Sequence, residues 1–289
     1  MKPNEAIFAA RDYDLAATLG CGQAFRWELR NDRWQGVVGD RWVGLEQRGQ
    51  YSFALTGTPQ ADWRWLLDYL QVHVDLPTIL ATFPQDAPMR QAVARCRGLR
   101  LLRQEPWECL ASFILSSTKQ IVQIRQIITR LCARHGRPIA GAAGEPAAFT
   151  FPAPERIAAL DESQLRDCKM GFRAPYLLAA ARRVADGKLD LHHLSRWELS
   201  EARARLLDLP GVGPKITECV LLFAGGFPTA FPVDVWVMRA LRRFYFRNRR
   251  VPLAKLREFT TNHFGPHGGY AQQYLFHSLR LGEGKKLSH

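Results

Sequence analysis

The stretch Leu206–Val237, LLDLPGVGPKITECVLLFAGGFPTAFPVDVWV, decides how the rest of the chain is read. Leu209-Pro210-Gly211-Val212-Gly213 lies between two helical patterns. Its glycines, Gly211 and Gly213, let the backbone turn tightly and approach whatever lies outside it. The spacing predicts a helix hairpin over about residues 206–224. Pro214 stands where a helix best tolerates proline, so Lys215 falls in the first turn of a helix through Ile216, Cys219, Val220, Leu222 and Phe223 that ends at Gly225-Gly226. Backbone N–H groups at a glycine turn opening a helix form an anion site, suited to a phosphate of DNA or of a nucleotide. The GxxxxGK[ST] spacing of a Walker loop is missing.

Beyond the glycines, Asp234 follows Phe231-Pro232-Val233 and precedes the apolar run Val235, Trp236, Val237, Met238, which predicts a helix N-cap. Lys215 and Asp234 thus each sit at a helix start. The positive end of a helix dipole and an apolar helix behind it disfavour the charged form of a lysine, leaving a usable amine nucleophile. A nearby carboxylate would orient that amine and stabilise a sugar cation. Taken singly, Lys215 reads more simply as a solvated first-turn lysine and Asp234 as a cap; together with the hairpin they point to chemistry.

LPGVGPK followed by PVDV resembles the helix-hairpin-helix-GPD superfamily of DNA base-excision glycosylases. The resemblance implies an essential aspartate, Asp234, and a lysine nucleophile, Lys215, of the kind carried by the bifunctional members. Such a lysine attacks C1′, expels the base and nicks the strand by β-elimination. Cys21-Gly22-Gln23-Ala24-Phe25-Arg26-Trp27 resembles the G-Q-[SA]-F-R-W signature of the 8-oxoguanine glycosylase branch. By that likeness the Gly22 carbonyl accepts a hydrogen bond from the N7–H that oxidised guanine has and guanine lacks, and Phe25 is an accessory contact. The discrimination is physically sound, since normal guanine would set its N7 acceptor against another acceptor. Without the Lys215–Asp234 pair, a turn glycine before a strand with Phe25 in the core would suffice.

The rest of the likeness concerns DNA. Gly269-Tyr270-Ala271-Gln272-Gln273-Tyr274-Leu275-Phe276 resembles G-x-A-Q-x-x-L-F. It implies that Gln272 reads the Watson–Crick edge of an extruded base and Phe276 stacks on it, with Cys219 opposite. Phe172-Arg173-Ala174-Pro175-Tyr176 is similar to the family's [YF]-R-A-x-Y, implying an aromatic wedge and an arginine at the opposite base; a buried Phe and a phosphate-facing Arg are the plainer alternative. Thr118, Lys119 and Gln120 stand where asparagines fill the hole left by the base, and Gln123 where an arginine reads its former partner, which puts strict preference for cytosine in doubt. Trp236 stands where histidine is frequent, among the residues implied to touch DNA.

Composition agrees. The chain has 289 residues, 47% hydrophobic and 11% aromatic, enough for two domains with sizeable cores, and a net charge of +13 that favours a polyanionic partner. No apolar run approaches a membrane span, and the start MKPNEAIFAARDYDLAA lacks the core of a signal peptide, so the expectation is an intracellular protein, of cytoplasm or nucleoid if bacterial, without membrane partner and monomeric. The six cysteines form no CxxC pair, so neither zinc nor disulfides are expected, and none follows Cys219 to build an iron–sulfur loop. No cofactor and no metal is expected.

Short alternating segments at Phe25–Leu29, Trp34–Val38, Arg41–Gln47 and Tyr51–Leu55 predict an antiparallel meander, followed by helices at Asp62–Leu70 and Met89–Arg97. Residues 1–100 are therefore expected as a small α+β domain. Residues 101–289 are expected as a helical domain, with helices from Pro106, Ile121, Pro154, Ser163, Tyr176 and Leu199 and a surface loop over 135–154. Arginines 239, 242, 243, 247, 249 and 250 form a basic cluster, either tracking a DNA backbone or solvated. The function these features imply is excision of 8-oxoguanine from double-stranded DNA with a lyase step. A water-using glycosylase for alkylated bases and a non-catalytic hairpin that grips phosphates are the alternatives.

Overall fold

The computed structural model describes residues 2–117, 120–142, 144–145 and 147–284. Asn31-Asp32, Gly39 and Gly49 take up positive φ, which lets the chain fold back at each turn of the meander. The strands are β1 (Glu5–Ala9), β2 (Glu28–Arg30), β3 (Arg33–Val38), β4 (Arg41–Arg48) and β5 (Tyr51–Thr56), in the antiparallel order β1-β5-β4-β3-β2. The first strand is additional to the expected meander: five residues too short to show a period, paired along β5 from Glu5 opposite Leu55 to Ala9 opposite Tyr51. One sheet face closes over Leu15 and Leu19 of α1 (Leu15–Gly20), Trp27, and Leu66 and Leu70 of α2 (Arg64–Leu70).

Asp75 caps a helix that lies outside the expected set, α3 (Leu76–Ala81), and Asp86 caps α4 (Ala87–Arg95). Both helices bury their apolar faces in a second, larger core with α5 (Pro106–Leu115), α6 (Ile121–His135), α7 (Pro154–Ala158), α8 (Glu162–Arg166) and α9 (Ala174–Ala185). The loop between α6 and α7 contains a two-residue hairpin, β6 (Pro138–Ile139) with β7 (Ala148–Phe149). Arg26 ties the sheet region to this core: it pairs with Glu108 of α5 at 3.2 Å and donates to the Phe149 carbonyl.

The same core receives α10 (Leu199–Leu207), α11 (Pro214–Val220), α12 (Val235–Tyr245), α13 (Leu253–Phe264) and α14 (Gly268–Gly284). The hairpin therefore joins α10 to α11, with Gly213 as N-cap and Pro214 as first helical residue. A π-helical turn over Leu221–Gly225 prolongs α11, and Gly226, at φ 76°, ends it. The observed class is α+β, a small antiparallel sheet with helices followed by a mostly helical hairpin-bearing region. No helix among the described residues is long and apolar enough to cross a membrane.

Candidate active site

Asp234 is the N-cap of α12, as its sequence context predicts, and its Oδ1 accepts the Val237 N–H at 2.8 Å. Burial pushes the carboxyl above the usual range; the Val237 amide and the charge of Lys215 pull it back. The two side chains therefore lie in each other's field, although no ion pair joins them. Lys215 Nζ instead donates to Ser116 Oγ at 2.9 Å and sits 5.1 Å from the centroid of the Phe113 ring. Ser116 closes α5, where its Oγ donates to the Phe113 carbonyl at 2.7 Å. The C-terminus of α5 and the N-termini of α11 and α12 thus converge on one amine and one carboxylate.

One turn beyond Lys215, Cys219 is buried and its thiol is pushed up to about 12 by desolvation, so it stays neutral beside the amine. Glu218, its neighbour in α11, fixes the approach of Asp234. Its carboxylate pairs with Arg203 of α10 at 2.6 Å and accepts the Phe231 N–H at 3.1 Å, which holds the Phe231–Asp234 segment against α11. Sequence reading passed over Glu218 because a glutamate in mid-helix has no local mark of a long-range partner.

A second group of residues adjoins the first. Phe25, only 7% exposed, meets Phe113 edge-on at 5.5 Å, so it supports the ring beneath Lys215 from the core side. Gly22 has φ 84°; a Cβ there would stand 3.1 Å from Ile121 Cδ1, 3.2 Å from Arg280 Nη1 and 3.8 Å from Phe276 Cε1. That close approach and the positive φ both call for glycine. Phe276 is half-buried, with the Arg280 guanidinium 5.4 Å from its centroid. Gln272, one turn earlier on α14, is 4% exposed and its Oε1 has no hydrogen-bond partner among the described residues. An orphaned buried amide oxygen is costly and calls for a ligand donor. A separate cavity of about 440 Å³ opens between α3 and α4, around Leu76, Phe83 and Met89; of the ionised groups on it, Asp12 and Arg97 pair with each other at 3.4 Å and Arg90 donates to the Gln85 carbonyl. The amine and carboxylate, not the volume, make the surroundings of Lys215 the candidate site. Among the described residues no cluster of His, Cys, Asp or Glu could hold a metal.

Residues 111–265 match the family described as HhH-GPD superfamily base excision DNA repair protein, and residues 6–110 match the 8-oxoguanine DNA glycosylase N-terminal domain. The chain belongs to the HhH-GPD superfamily of base excision DNA repair proteins. Its structure is similar to that of MBOgg1 in complex with a low affinity DNA ligand, with TM-score 0.93, 33% identity and 98% of each chain covered. It is also similar to the Clostridium acetobutylicum 8-oxoguanine glycosylase/lyase in complex with double-stranded DNA containing cytosine opposite 8-oxoG, with TM-score 0.89, 28% identity, and coverage of 96% of this chain and 98% of that one. The N-glycosylase/DNA lyase OGG1 of Arabidopsis thaliana is 29% identical over 282 residues, 91% of this chain and 76% of the relative.

In this HhH-GPD protein the candidate DNA-facing residues divide. Gly211, at φ 76°, lies flat on the Tyr176 ring, where a Cβ would overlap the ring atoms, so the hairpin and the Phe172–Tyr176 motif are packed together. A Cβ on Gly213 would meet nothing within 4 Å, which leaves the N-terminus of α11 open. Phe172 is 53% exposed, and its ring meets Tyr176 edge-on at 6.4 Å. Arg173 is buried: its guanidinium donates to the carbonyls of Ser117 and Met170 and lies 4.2 Å from the Phe172 centroid. Gln120 caps α6 in a reciprocal box with Gln123, whose Oε1 accepts the Gln120 N–H at 3.2 Å. Thr118 and Lys119 lie outside the described residues. Trp236 is half-buried beside Arg239, 5.4 Å from ring to guanidinium, and Val235 next to it is 66% exposed. Arg239, Arg243, Arg247, Arg249 and Arg250 are exposed and form no ion pair among the described residues, which suits a phosphate backbone and a solvated surface alike.

Proposed function

We propose that Lys215 is the nucleophile and Asp234 its partner in an 8-oxoguanine DNA glycosylase and AP lyase. The single observation that carries this reading is the convergence of Lys215 and Asp234, within each other's field, at two helix N-termini; a buried acceptor without a partner among the described residues, Gln272 Oε1, supports it. The extruded base would lie between Phe276 and Cys219, with Gln272 on its Watson–Crick edge and the Gly22 carbonyl at N7–H. The Lys215 amine attacks C1′ through its lone pair as the C1′–N9 bond breaks; the base leaves with the bonding electrons and takes up the proton that the nitrogen gives up. Asp234 stabilises the cationic sugar in this step. Ring opening gives a Schiff base; loss of a C2′ proton then expels the 3′ phosphate and cuts the strand. Phe172 and Trp236 would contact the DNA, and the setting we propose is intracellular, where the free thiols stay reduced.

The test is sodium borohydride trapping on a duplex with one 8-oxoguanine opposite cytosine, using Lys215→Gln and an undamaged duplex as controls. A covalent band with wild type alone is the expected result. Alkali-sensitive sites at the lesion without a band would leave a glycosylase that uses water and would end the Schiff-base mechanism. No sites at all would favour another lesion or a hairpin that only grips DNA.

A further inference from the structure

In the loop that follows α1, Cys21, Gly22 and Gln23 present consecutive backbone carbonyls, and they are not treated alike. The Cys21 carbonyl accepts from Gln273 Nε2 at 3.3 Å and from Arg280 Nη1 at 3.4 Å, both on α14. The Gln23 carbonyl accepts from Gln104 Nε2 at 2.6 Å. The Gly22 carbonyl between them has no donor among the described residues. The loop is pinned on both sides of one free acceptor. Arg280 forms no ion pair among the described residues; the Asp234 carboxylate lies within its field, and the nearby Arg125 adds a like charge. The half-buried guanidinium is instead in contact with the Cys21 carbonyl and the Phe276 ring, which places it to orient one against the other.

We infer that Arg280 is a specificity-determining positioning residue: by holding the Cys21 carbonyl while lying on the Phe276 ring, it fixes the Gly22 carbonyl relative to the base platform. Arg280 lies one turn after Phe276 on the same face of α14. Reader and platform are therefore referenced to one helix. Discrimination between 8-oxoguanine and guanine rests on whether N7 donates to the reader carbonyl or opposes it. A carbonyl displaced by about 1 Å loses most of that difference. Gln273 supplies the neutral half of the clamp and Arg280 the charged half. The inference rests on the assignment of Gly22 as reader, and the test separates the two.

The experiment measures dissociation constants in the Lys215→Gln background for duplexes carrying 2′-fluoro-8-oxodeoxyguanosine or 2′-fluorodeoxyguanosine. The expected result is that Arg280→Ala lowers the preference for the oxidised base about tenfold. Arg280→Lys restores part of it, and Arg280→Ala adds nothing in a Gly22→Ala background. The thermal midpoint of each variant checks the fold, and a Gln273→Leu variant reports the same clamp from its other donor. If Gly22→Ala abolishes the preference while Arg280→Ala and Gln273→Leu both keep it, the reader assignment stands and the role of Arg280 is overturned. If Gly22→Ala keeps the preference, the reader assignment fails and the inference fails with it.

Discussion

Lys215 Nζ donates to Ser116 Oγ at 2.9 Å across 99 residues of chain, and Ser116 in turn donates to the last turn of its own helix. The candidate nucleophile is therefore aimed by a hydroxyl at the C-terminus of α5, not by its carboxylate partner. Removing that hydroxyl leaves the amine in place on the Phe113 ring but frees its direction. Ser116→Ala is expected to lower the single-turnover rate of base release about tenfold, with a borohydride-trapped complex still formed. Ser116→Thr should recover most of the rate. A Ser116→Ala enzyme with wild-type base release would remove Ser116 from the aiming of Lys215.

Asp234 makes opposed demands on activity and stability. Because burial raises its folded-state pKa above the unfolded value, the favourable contribution is present at acid pH and is lost as pH rises through the folded value. At neutral pH the ionised carboxylate thus costs stability. Asn is as good an N-cap and still accepts the Val237 N–H. Asp234→Asn is expected to have a thermal midpoint at pH 7 equal to or above that of wild type, with the gap closing toward pH 4. Its excision rate should fall by ~100-fold or more. In wild type the acid limb of the rate profile should lie above the ordinary aspartate value. A lower midpoint for Asp234→Asn at pH 7 would contradict the sign.

The side chains in the positions that would read the base opposite the lesion are already engaged. Gln123 Oε1 is used in the cap of α6, and Arg173 is buried on the carbonyls of Ser117 and Met170. Excision of 8-oxoguanine opposite C, T, G and A is therefore expected to vary by no more than about tenfold, the worth of one hydrogen bond. Single-turnover rates on four duplexes decide it, and a preference for cytosine above a hundredfold would mean that these bonds are exchanged on binding.

Arg26 and Glu108 form a pair that is mostly, not fully, buried, and burial pushes the Glu108 carboxyl upward even with Arg26 present. Arg26→Ala is expected to cost about 3–5 kcal/mol at neutral pH, chiefly through the uncompensated carboxylate. Since a raised carboxyl pKa places the loss on the alkaline side, the cost should shrink as the pH falls toward 5. Arg26→Ala with Glu108→Gln should be milder than Arg26→Ala alone. Urea unfolding at two pH values measures both effects.

What could be read from the sequence was local. The hairpin glycines, Pro214 as first helical residue and Asp234 as cap are each declared within five residues of chain, and the structure places all of them as those signals predict. The meander was legible from alternation and turn residues, whereas β1 was not, since its pairing partner lies in β5. Asp75-Leu76-Pro77 carried a cap and an early proline, a signal for α3 that the apolar period alone obscured. Ser116, Glu218, Gln273 and Arg280 could not be found this way. Each acts on a partner from a distant part of the chain, and a serine, a glutamate, a glutamine and an arginine at helical positions look the same whether solvated or engaged.

All six cysteines are buried and free, and burial holds every thiol above its ordinary pKa, Cys21 to about 11 and Cys96, Cys132 and Cys219 to about 12. Peroxide attacks the thiolate, and thiols pushed upward in this way expose little of that form at neutral pH. Guanine is the base that oxidants damage most readily, so a protein that removes its oxidised form works while the oxidant is still present. The packing that builds the core thereby also gives the molecule tolerance to the stress that generates its substrate.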